Sequence, residues 1–194
     1  MFGSDSEAKV RALTPYVAAH PDDPAALMSY AQALRDLRRF DEATTAFERA
    51  YALDTTNVSV AAQLGGFRIN QRRWAEAVSL LARAVAAGFT DSRTLGQLGY
   101  AELGANRNED AVRHYELAFA AGIPAGRNTR GAASYNLACG YARLGRKDDA
   151  LEALSRAVDE GMGQGMAEDG DFAALRAEQR FRELVARVAA RGGE

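Results

Sequence analysis

The sequence predicts an all-α fold, and three observations support that prediction. The chain of 194 residues contains only four prolines, which leaves room for long helices. It has no period-two run of Val, Ile and Thr long enough to start a sheet. Small and apolar residues instead recur every 34 residues. With 47% hydrophobic and 26% charged residues, the composition is typical of a folded chain.

The first segment, residues 1–23, is predicted to form a capping helix. Val10, Leu13 and Val17 follow one another at helical spacing within residues 6–20. Pro15 is expected to kink or restart this helix, because proline lacks the amide hydrogen that a helix interior uses. The chain does not start with a basic stretch followed by an apolar one, and no segment reaches the roughly 18 apolar residues of a membrane span. We therefore expect no membrane association and a cytoplasmic location.

The repeat is clearest in triplets of residues with internal spacings of four and three. Ala43 is followed by Phe47 and Ala50, and the pattern returns 34 residues later and once more after a further 34. A fourth copy comes after 39 residues, so five residues are inserted, which we place within residues 122–131. The later triplets are Ala77, Leu81 and Ala84, then Ala111, Tyr115 and Ala118, then Ala150, Leu154 and Ala157.

A second small residue stands twelve positions before each triplet: Ala31, Gly65, Gly99 and Ala138. Two helices that cross closely need small side chains at the contact and large ones one turn away. Each repeat is therefore predicted to be a helical hairpin that buries its apolar face against its neighbours. The four hairpins are placed at residues 24–57, 58–91, 92–130 with the inserted loop, and 131–161.

Residues 24–161 resemble the tetratricopeptide repeat (TPR) family. They share with it the 34-residue period, the small residues just named, and a large apolar residue ahead of the second helix, here Phe40 and Trp74. The resemblance implies a right-handed superhelical solenoid of four TPR hairpins. The proline that usually ends a repeat in this family is absent from all four. A glycine followed by an apolar residue is expected to end three repeats instead, with the glycine in the left-handed conformation. These pairs are Gly88-Phe89, Gly122-Ile123 and Gly161-Met162.

Residues 162–194 are predicted to be a linker and a C-terminal capping helix. Phe181, Leu184, Val185 and Val188 form one apolar stripe, and Gly192 is expected to end the helix. The segment 171–176 resembles the short turn that closes many bacterial TPR arrays before a final helix. Both ends of the array are therefore expected to be covered, as a stack of repeats requires.

No set of residues in the sequence predicts catalysis, a cofactor or a metal. His20 is expected near a helix end and His114 on a solvated helix surface, while Cys139 is interpreted as a packed thiol with no histidine to activate it. The segment 161–165 is glycine-rich, but it follows a helix and lacks the Lys-Ser/Thr ending of a phosphate loop. The acidic segment 168–171 lacks calcium-ligand spacing and is interpreted as a solvated linker and helix cap.

The charge pattern argues against nucleic-acid binding. The formal net charge is −2, whereas nucleic-acid binders usually carry a basic excess. Basic turns such as Arg38-Arg39 and Arg72-Arg73 would lie along one edge of the stack and could attract an anionic partner. Acidic residues follow each turn at once, so a role in complementing helix dipoles is the favoured interpretation. Because only Lys9 and Lys147 are lysines among 24 basic residues, a GC-rich bacterial source is expected.

The family resemblance also implies where a partner would bind. In TPR proteins the first helices line a concave groove that receives an extended peptide or a helix. Carried over to this chain, the groove residues are Met28, Gln32, Arg35, Gln63, Asn70, Arg93, Gln97, Tyr100, Tyr135, Asn136 and Arg143, with Asp36, Gly66, Ile69, Leu103 and Cys139 beside them. The lysine/asparagine clamp that some relatives use for a carboxylate is not reproduced.

The predicted function is a protein–protein interaction module that binds a segment of a partner protein. Aromatic, methionine and arginine side chains in the predicted groove are the types enriched in protein contacts. The alternative is a self-associating structural scaffold, in which one copy meets another and forms a homo-oligomer. An enzyme or nucleotide-binding domain is the least favoured interpretation.

Overall fold

The computed structural model describes residues 2–191, of which residues 5–191 include the side chains. Within that range the chain is helical and contains no strand. It divides into two compact units, Met1–Gly88 and Phe89–Glu194. The fold class predicted from the sequence is confirmed: the protein is all-α and consists of helical hairpins. No helix within residues 2–191 is both long enough and apolar enough to cross a membrane.

The first unit contains a capping helix followed by two hairpins. Helix α1 spans Phe2–Ala19 and packs on α2, Pro24–Asp36. Helix α2 pairs with α3, Phe40–Leu53, and α4, Val58–Asn70, pairs with α5, Trp74–Ala86.

Pro15 does not interrupt α1, contrary to the expectation of a restarted helix. Val10 and Val17 lie on either side of Pro15 and both belong to the core shared with α2 and α3. Their joint burial keeps the segment in one helix despite the hydrogen bond that proline removes. The hydroxyl of Thr14 also donates to the carbonyl oxygen of Val10 at 2.7 Å, in the turn directly before Pro15.

The second unit contains two hairpins and the C-terminal cap. Helix α6, Ser92–Gly104, pairs with α7, Asn108–Ala120, and α8, Ala132–Arg143, pairs with α9, Lys147–Asp159. The insertion before α8 forms a π-helical turn at Arg127–Gly131. A 3₁₀ turn at Gly170–Leu175 leads to the capping helix α10, Gln179–Arg191. The predicted helix end at Gly192 lies outside the described residues.

The small residues lie where the paired helices touch. A Cβ atom on Gly65 would lie 2.6 Å from Cγ of Leu81, and one on Gly99 would lie 3.0 Å from the ring of Tyr115. Neither helix pair could close to its observed distance with a larger residue at these positions.

The expected helix ends are also present. Gly88, Gly122 and Gly161 have φ angles of 97°, 88° and 82°, which confirms the predicted left-handed conformation. These ends fix where each second helix stops, so the chain can turn into the next hairpin.

Candidate functional site

In the first unit, the candidate groove residues lie beside the buried face of α2 and on α4. Leu27, Ala31 and Leu34 of α2 are fully buried. Met28, Gln32 and Arg35 of the same helix are only half-buried, and Arg35 Nη1 donates to Gln63 Oε1 of α4 at 2.7 Å. This bond joins the two first helices of the unit across their candidate groove residues. Arg35 also pairs with Asp36 at 3.1 Å, and Asn70 is exposed at the end of α4.

In the second unit, Tyr100 is the most exposed apolar side chain of α6. Its exposed fraction is 43%, although the neighbouring Leu98, Ala101 and Leu103 are buried. Arg93 is exposed in the first turn of α6, and Gln97 is half-buried.

Helix α8 meets α6 near the buried Tyr115 of α7. The side chain of Asn136 is hydrogen-bonded to Tyr115, and Tyr100 lies close enough to affect the same phenol electrostatically. Tyr100 and Asn136 therefore both lie near Tyr115 in the second unit.

A glycine on this face of α6 was not among the predicted groove residues. Gly96 stands three residues after Arg93 and four before Tyr100, so all three share one face of the helix. Gly96 is itself half-buried, yet a Cβ atom added to it would meet no atom within 4 Å. Glycine within a helix lowers its stability by roughly 0.5–1 kcal/mol relative to alanine, and packing does not explain the glycine at this position.

The C-terminal linker contacts two of the predicted groove residues, Tyr135 and Arg143 of α8. The hydroxyl of Tyr135 donates to Asp169 Oδ2 at 2.7 Å. The guanidinium of Arg143 donates two bonds of 2.9 Å to the carboxylate of Asp171 and a third, also 2.9 Å, to the carbonyl oxygen of Leu103. Both side chains therefore hold a segment of their own chain.

Phe172 completes this contact. It is fully buried, with its ring in an edge-on arrangement 5.3 Å from the ring of Tyr135 and 6.1 Å from that of Phe181 of α10. The interpretation of residues 168–171 as a solvated linker is wrong for Asp169 and Asp171, which are half-buried and bonded to α8. Asp169 does cap the 3₁₀ turn by accepting from the amide of Asp171 at 3.0 Å.

Burial changes the acidity of the groups beside this contact. It raises the pKa of Tyr135, and the hydrogen bond to Asp169 raises it further, so the phenol stays protonated and remains a donor. Burial likewise raises the pKa of Cys139 on the same helix, with the carboxylates of Asp171 and Asp169 adding to the effect. A buried thiol with a raised pKa is a poor nucleophile, in agreement with the interpretation of Cys139 as a packed residue.

Comparison with known proteins identifies the architecture. Two family models, both described as tetratricopeptide repeat, match residues 34–95 and 97–165. The chain belongs to the tetratricopeptide repeat family.

Several solved structures have a similar fold. The chain is similar to YrrB, described as a TPR protein with an unusual peptide-binding site, with 16% identity and a TM-score of 0.72 over 93% of this chain and 92% of that chain. It is also similar to MamA, with 19% identity and a TM-score of 0.65 over 86% of this chain and 93% of that chain. A structure of MamA from Desulfovibrio magneticus RS-1 has 21% identity and a TM-score of 0.65 over 79% of this chain and 84% of that chain. A sequence comparison with curated proteins finds no match.

The basic turns of this TPR protein are paired with the acidic residues that follow them. Arg39 contacts Glu42 at 2.6 Å, Arg73 contacts Glu76 at 2.7 Å, and Arg146 contacts Asp149 at 2.8 Å. These contacts support the interpretation that one arginine in each of these turns complements a helix end.

His114 is not solvated as the sequence analysis expected. Its Nδ1 lies 2.7 Å from Oε2 of Glu102, and only 14% of the His114 side chain and 4% of the Glu102 side chain are exposed. The period of the helix could not reveal this pairing, because it depends on the identity of a residue on the facing helix. His20 is exposed and stacks on Tyr16 with ring centroids 4.3 Å apart.

The glycine-rich segment 161–165 lies beside a cavity of about 560 Å³. Met162 and Met166 line it from the segment, and Val185 and Val188 line it from α10. The lining is mostly apolar and has no lysine, in contrast to a phosphate loop. Within residues 2–191, no three His, Cys, Asp or Glu side chains are grouped so that they could hold a metal ion.

Proposed function

We propose that this TPR protein is a non-catalytic adaptor that binds a peptide or helix segment of a partner protein on its first helices. The observation that carries the proposal is the exposure of Tyr100 on a helix that buries its other large apolar residues. A half-exposed aromatic side chain is a common anchor in protein interfaces. Gln97, Asn136 and Arg93 supply polar groups near it, as is usual around such an anchor.

Membership in the family supports a protein-interaction role in general, and the similarity to YrrB favours a peptide ligand. On this proposal the candidate groove of the first unit consists of Met28, Gln32, Arg35, Gln63 and Asn70, and that of the second unit consists of Arg93, Gln97, Tyr100 and Asn136. Tyr135 and Arg143 act at the edge of the second set, where they hold the C-terminal linker. We further propose that the protein acts in the cytoplasm of a bacterium and binds neither nucleic acid nor membranes.

Site-specific photocrosslinking in native cells tests the proposal. Tyr100 and Tyr16 are nearly equally exposed, at 43% and 44%, but Tyr16 lies on the capping helix α1. A benzophenone amino acid at position 100 should capture a partner protein, and the same group at position 16 should not. Equal capture at both positions would contradict a binding site on the first helices.

The identity of the captured chain separates the proposal from its alternative. A different protein at position 100, whose affinity for the purified chain falls about tenfold or more in the Tyr100→Ala variant, supports the adaptor. A second copy of this chain at position 100, with a dimer or larger assembly in light scattering, would favour the self-associating scaffold instead.

A further inference from the structure

The cavity of about 560 Å³ in the second unit has a lining that suits a small molecule. Its walls come from α9, the inserted turn before α8, the segment 161–168 and the capping helix α10, so it shares no residue with the candidate groove. Small-molecule sites usually have volumes of about 300–1,000 Å³. The cavity is therefore large enough to hold a ligand of its own.

The wall that α10 contributes is an apolar surface that the fold leaves partly open. Phe181 and Leu184 of the apolar stripe are buried, but Val185 and Val188 of the same stripe are only half-buried and line the cavity. A Cβ atom on Gly163 would lie 3.0 Å from Cγ2 of Val188, so glycine lets the facing segment touch α10 at this point. The two valines thus keep apolar surface that the described part of the chain does not cover.

The apolar side chains of the lining favour an alkyl chain over a ring. Met162 and Met166 line the cavity from the segment between α9 and the 3₁₀ turn, and thioether side chains adapt to irregular apolar shapes. Among the described residues that form the lining, none is aromatic, so a nucleobase or another planar ring would have no stacking partner. A flexible saturated chain fits this lining better.

The charged residues of the lining favour a monoanion. Arg127 and Arg191 are cationic and Glu168 is the one acidic residue of the lining within residues 2–191, which gives a formal charge of +1. Neither arginine pairs with a carboxylate in the described part of the chain. Arg191 donates to the carbonyl oxygen of Val158, a neutral acceptor that holds the guanidinium beside the cavity without cancelling its charge. A guanidinium is well suited to bind a carboxylate.

We propose that this cavity binds a free aliphatic carboxylate of the fatty-acid class, with its alkyl chain on the valines and methionines and its carboxylate held by Arg127 and Arg191. Because Glu168 leaves only one net positive charge, a singly charged head group matches the lining better than a doubly charged phosphate monoester. The ligand would contact the inserted turn, α9 and α10 together and would stabilise this end of the second unit. The site goes beyond the adaptor function and does not depend on it.

Methionine methyl NMR on the full chain tests the proposal, because the sequence contains only four methionines. Decanoate is titrated, below its critical micelle concentration, into protein with ¹³C-labelled methionine methyl groups. The signals of Met162 and Met166 should shift and saturate, while that of Met28 in the first unit should not move. Decanol and decyltrimethylammonium carry the same chain with a neutral or a cationic head group and should bind about fivefold more weakly or worse.

Substitutions in the cavity wall identify the site. Ala189→Trp should weaken decanoate binding about tenfold or more, because Ala189 lines the cavity and the indole would occupy the space of the alkyl chain. The matched control is Ala190→Trp, at an exposed position of α10 outside the lining, and it should leave the affinity unchanged. Arg127→Gln should weaken the binding of decanoate several-fold but not that of decanol. The same change at Arg182, an exposed arginine of α10 outside the lining, should have no effect.

Decanoate that shifts neither Met162 nor Met166, or that shifts Met28 equally, would overturn the proposal. Equal affinities for decanoate and decanol, or an unchanged affinity in Ala189→Trp, would also overturn it. Phosphatidylglycerol vesicles separate a free acid from a membrane lipid. The chain should not sediment with them, and sedimentation that Ala189→Trp abolishes would show that the cavity takes a lipid chain from a membrane, contrary to the proposal. These variants leave Tyr100 and the candidate groove unchanged, so capture of a partner protein should persist in all of them.

Discussion

Tyr100 and Tyr135 were equivalent in the sequence hypothesis, but the structure predicts that replacing each with alanine has opposite consequences. Tyr135 is half-buried, donates to Asp169 and packs edge-on against the buried Phe172. Tyr100 exposes 43% of its surface. We therefore expect Tyr135→Ala to act on stability and Tyr100→Ala to act on partner binding.

The magnitude follows from the contacts of Tyr135. A hydrogen bond to a charged group contributes about 1.5–3 kcal/mol, and Asp169 keeps a second donor in the amide of Asp171. Tyr135→Phe should therefore destabilise the fold by about 1–2 kcal/mol. Tyr135→Ala also leaves a cavity beside Phe172 and should cost about 3–5 kcal/mol. For Tyr100→Ala we expect about 1 kcal/mol or less, as for other largely exposed positions.

Urea unfolding followed by far-ultraviolet circular dichroism measures these differences. In thermal melts Tyr135→Phe should lower Tm by about 3–6 °C, on the scale of a chain of this length. If Tyr135→Ala and Tyr100→Ala unfolded at the same urea concentration, the contact of the C-terminal linker with α8 would not exist in solution. The reasoning about which groove residues remain available would then fail with it.

Three further outcomes follow from packing and burial. Gly99→Leu should cost at least about 1–3 kcal/mol in urea unfolding because Tyr115 leaves no room, while the exposed Ala120→Leu should stay within about 0.5 kcal/mol of wild type. Arg68→Ala removes a buried guanidinium that is bonded to Glu48 at 2.6 Å and to Glu76 at 3.1 Å, and it should lower the free energy of unfolding by about 2–3 kcal/mol. Arg68→Met keeps most of the packing and should lower it by no more than about 1 kcal/mol. Equal losses of stability in the two variants would show that the ion pairs matter more than the packing. Cys139 should resist alkylation by iodoacetamide in the native chain and react on unfolding, because burial raises its pKa; fast native labelling would mean that the helix opens there.

The 34-residue period predicted the hairpins because every hairpin needs small residues where its two helices cross. Small residues at the crossings and left-handed glycines at the helix ends are properties of a residue and its immediate neighbours, so one sequence shows them directly. The confirmed fold and family rest on such features. The helix does not restart at Pro15, because burial of Val10 and Val17 on both sides of it outweighs the local preference, and that burial is a property of the packed unit.

The candidate site was less predictable, because a groove side chain is available to a partner only if no residue from another part of the chain binds it. The family resemblance implied a groove position for Tyr135 and Arg143, but it could not show that Asp169 and Asp171 bind them. Gly96 was overlooked for the opposite reason. A helix glycine with no contact is indistinguishable in sequence from Gly99, which packing requires, although its position between Arg93 and Tyr100 was a usable signal.

One repeated position is buried in all four hairpins, although the type of residue there changes. Leu34, Arg68, Glu102 and Tyr141 occupy equivalent places in the four hairpins, and all four are buried. Only Leu34 has a side chain without polar atoms. Each of the other three side chains is bonded to a polar partner whose identity the 34-residue period does not predict. Arg68 binds Glu48 and Glu76, Glu102 binds His114, and Tyr141 donates to Glu116 at 2.6 Å.

These partners make the hairpins non-equivalent. If a hairpin were exchanged for its neighbour, Arg68 would lose Glu48 and Tyr141 would lose Glu116, because each of these partners lies in the preceding hairpin. Glu102 and His114 lie in one hairpin and would move together. A stack of identical apolar repeats would have no such penalty against pairing out of order. The contacts of Arg68 with Glu48 and of Tyr141 with Glu116 therefore favour the observed order of hairpins within each unit, and in the second unit this order brings Tyr100 of α6 close to Asn136 of α8.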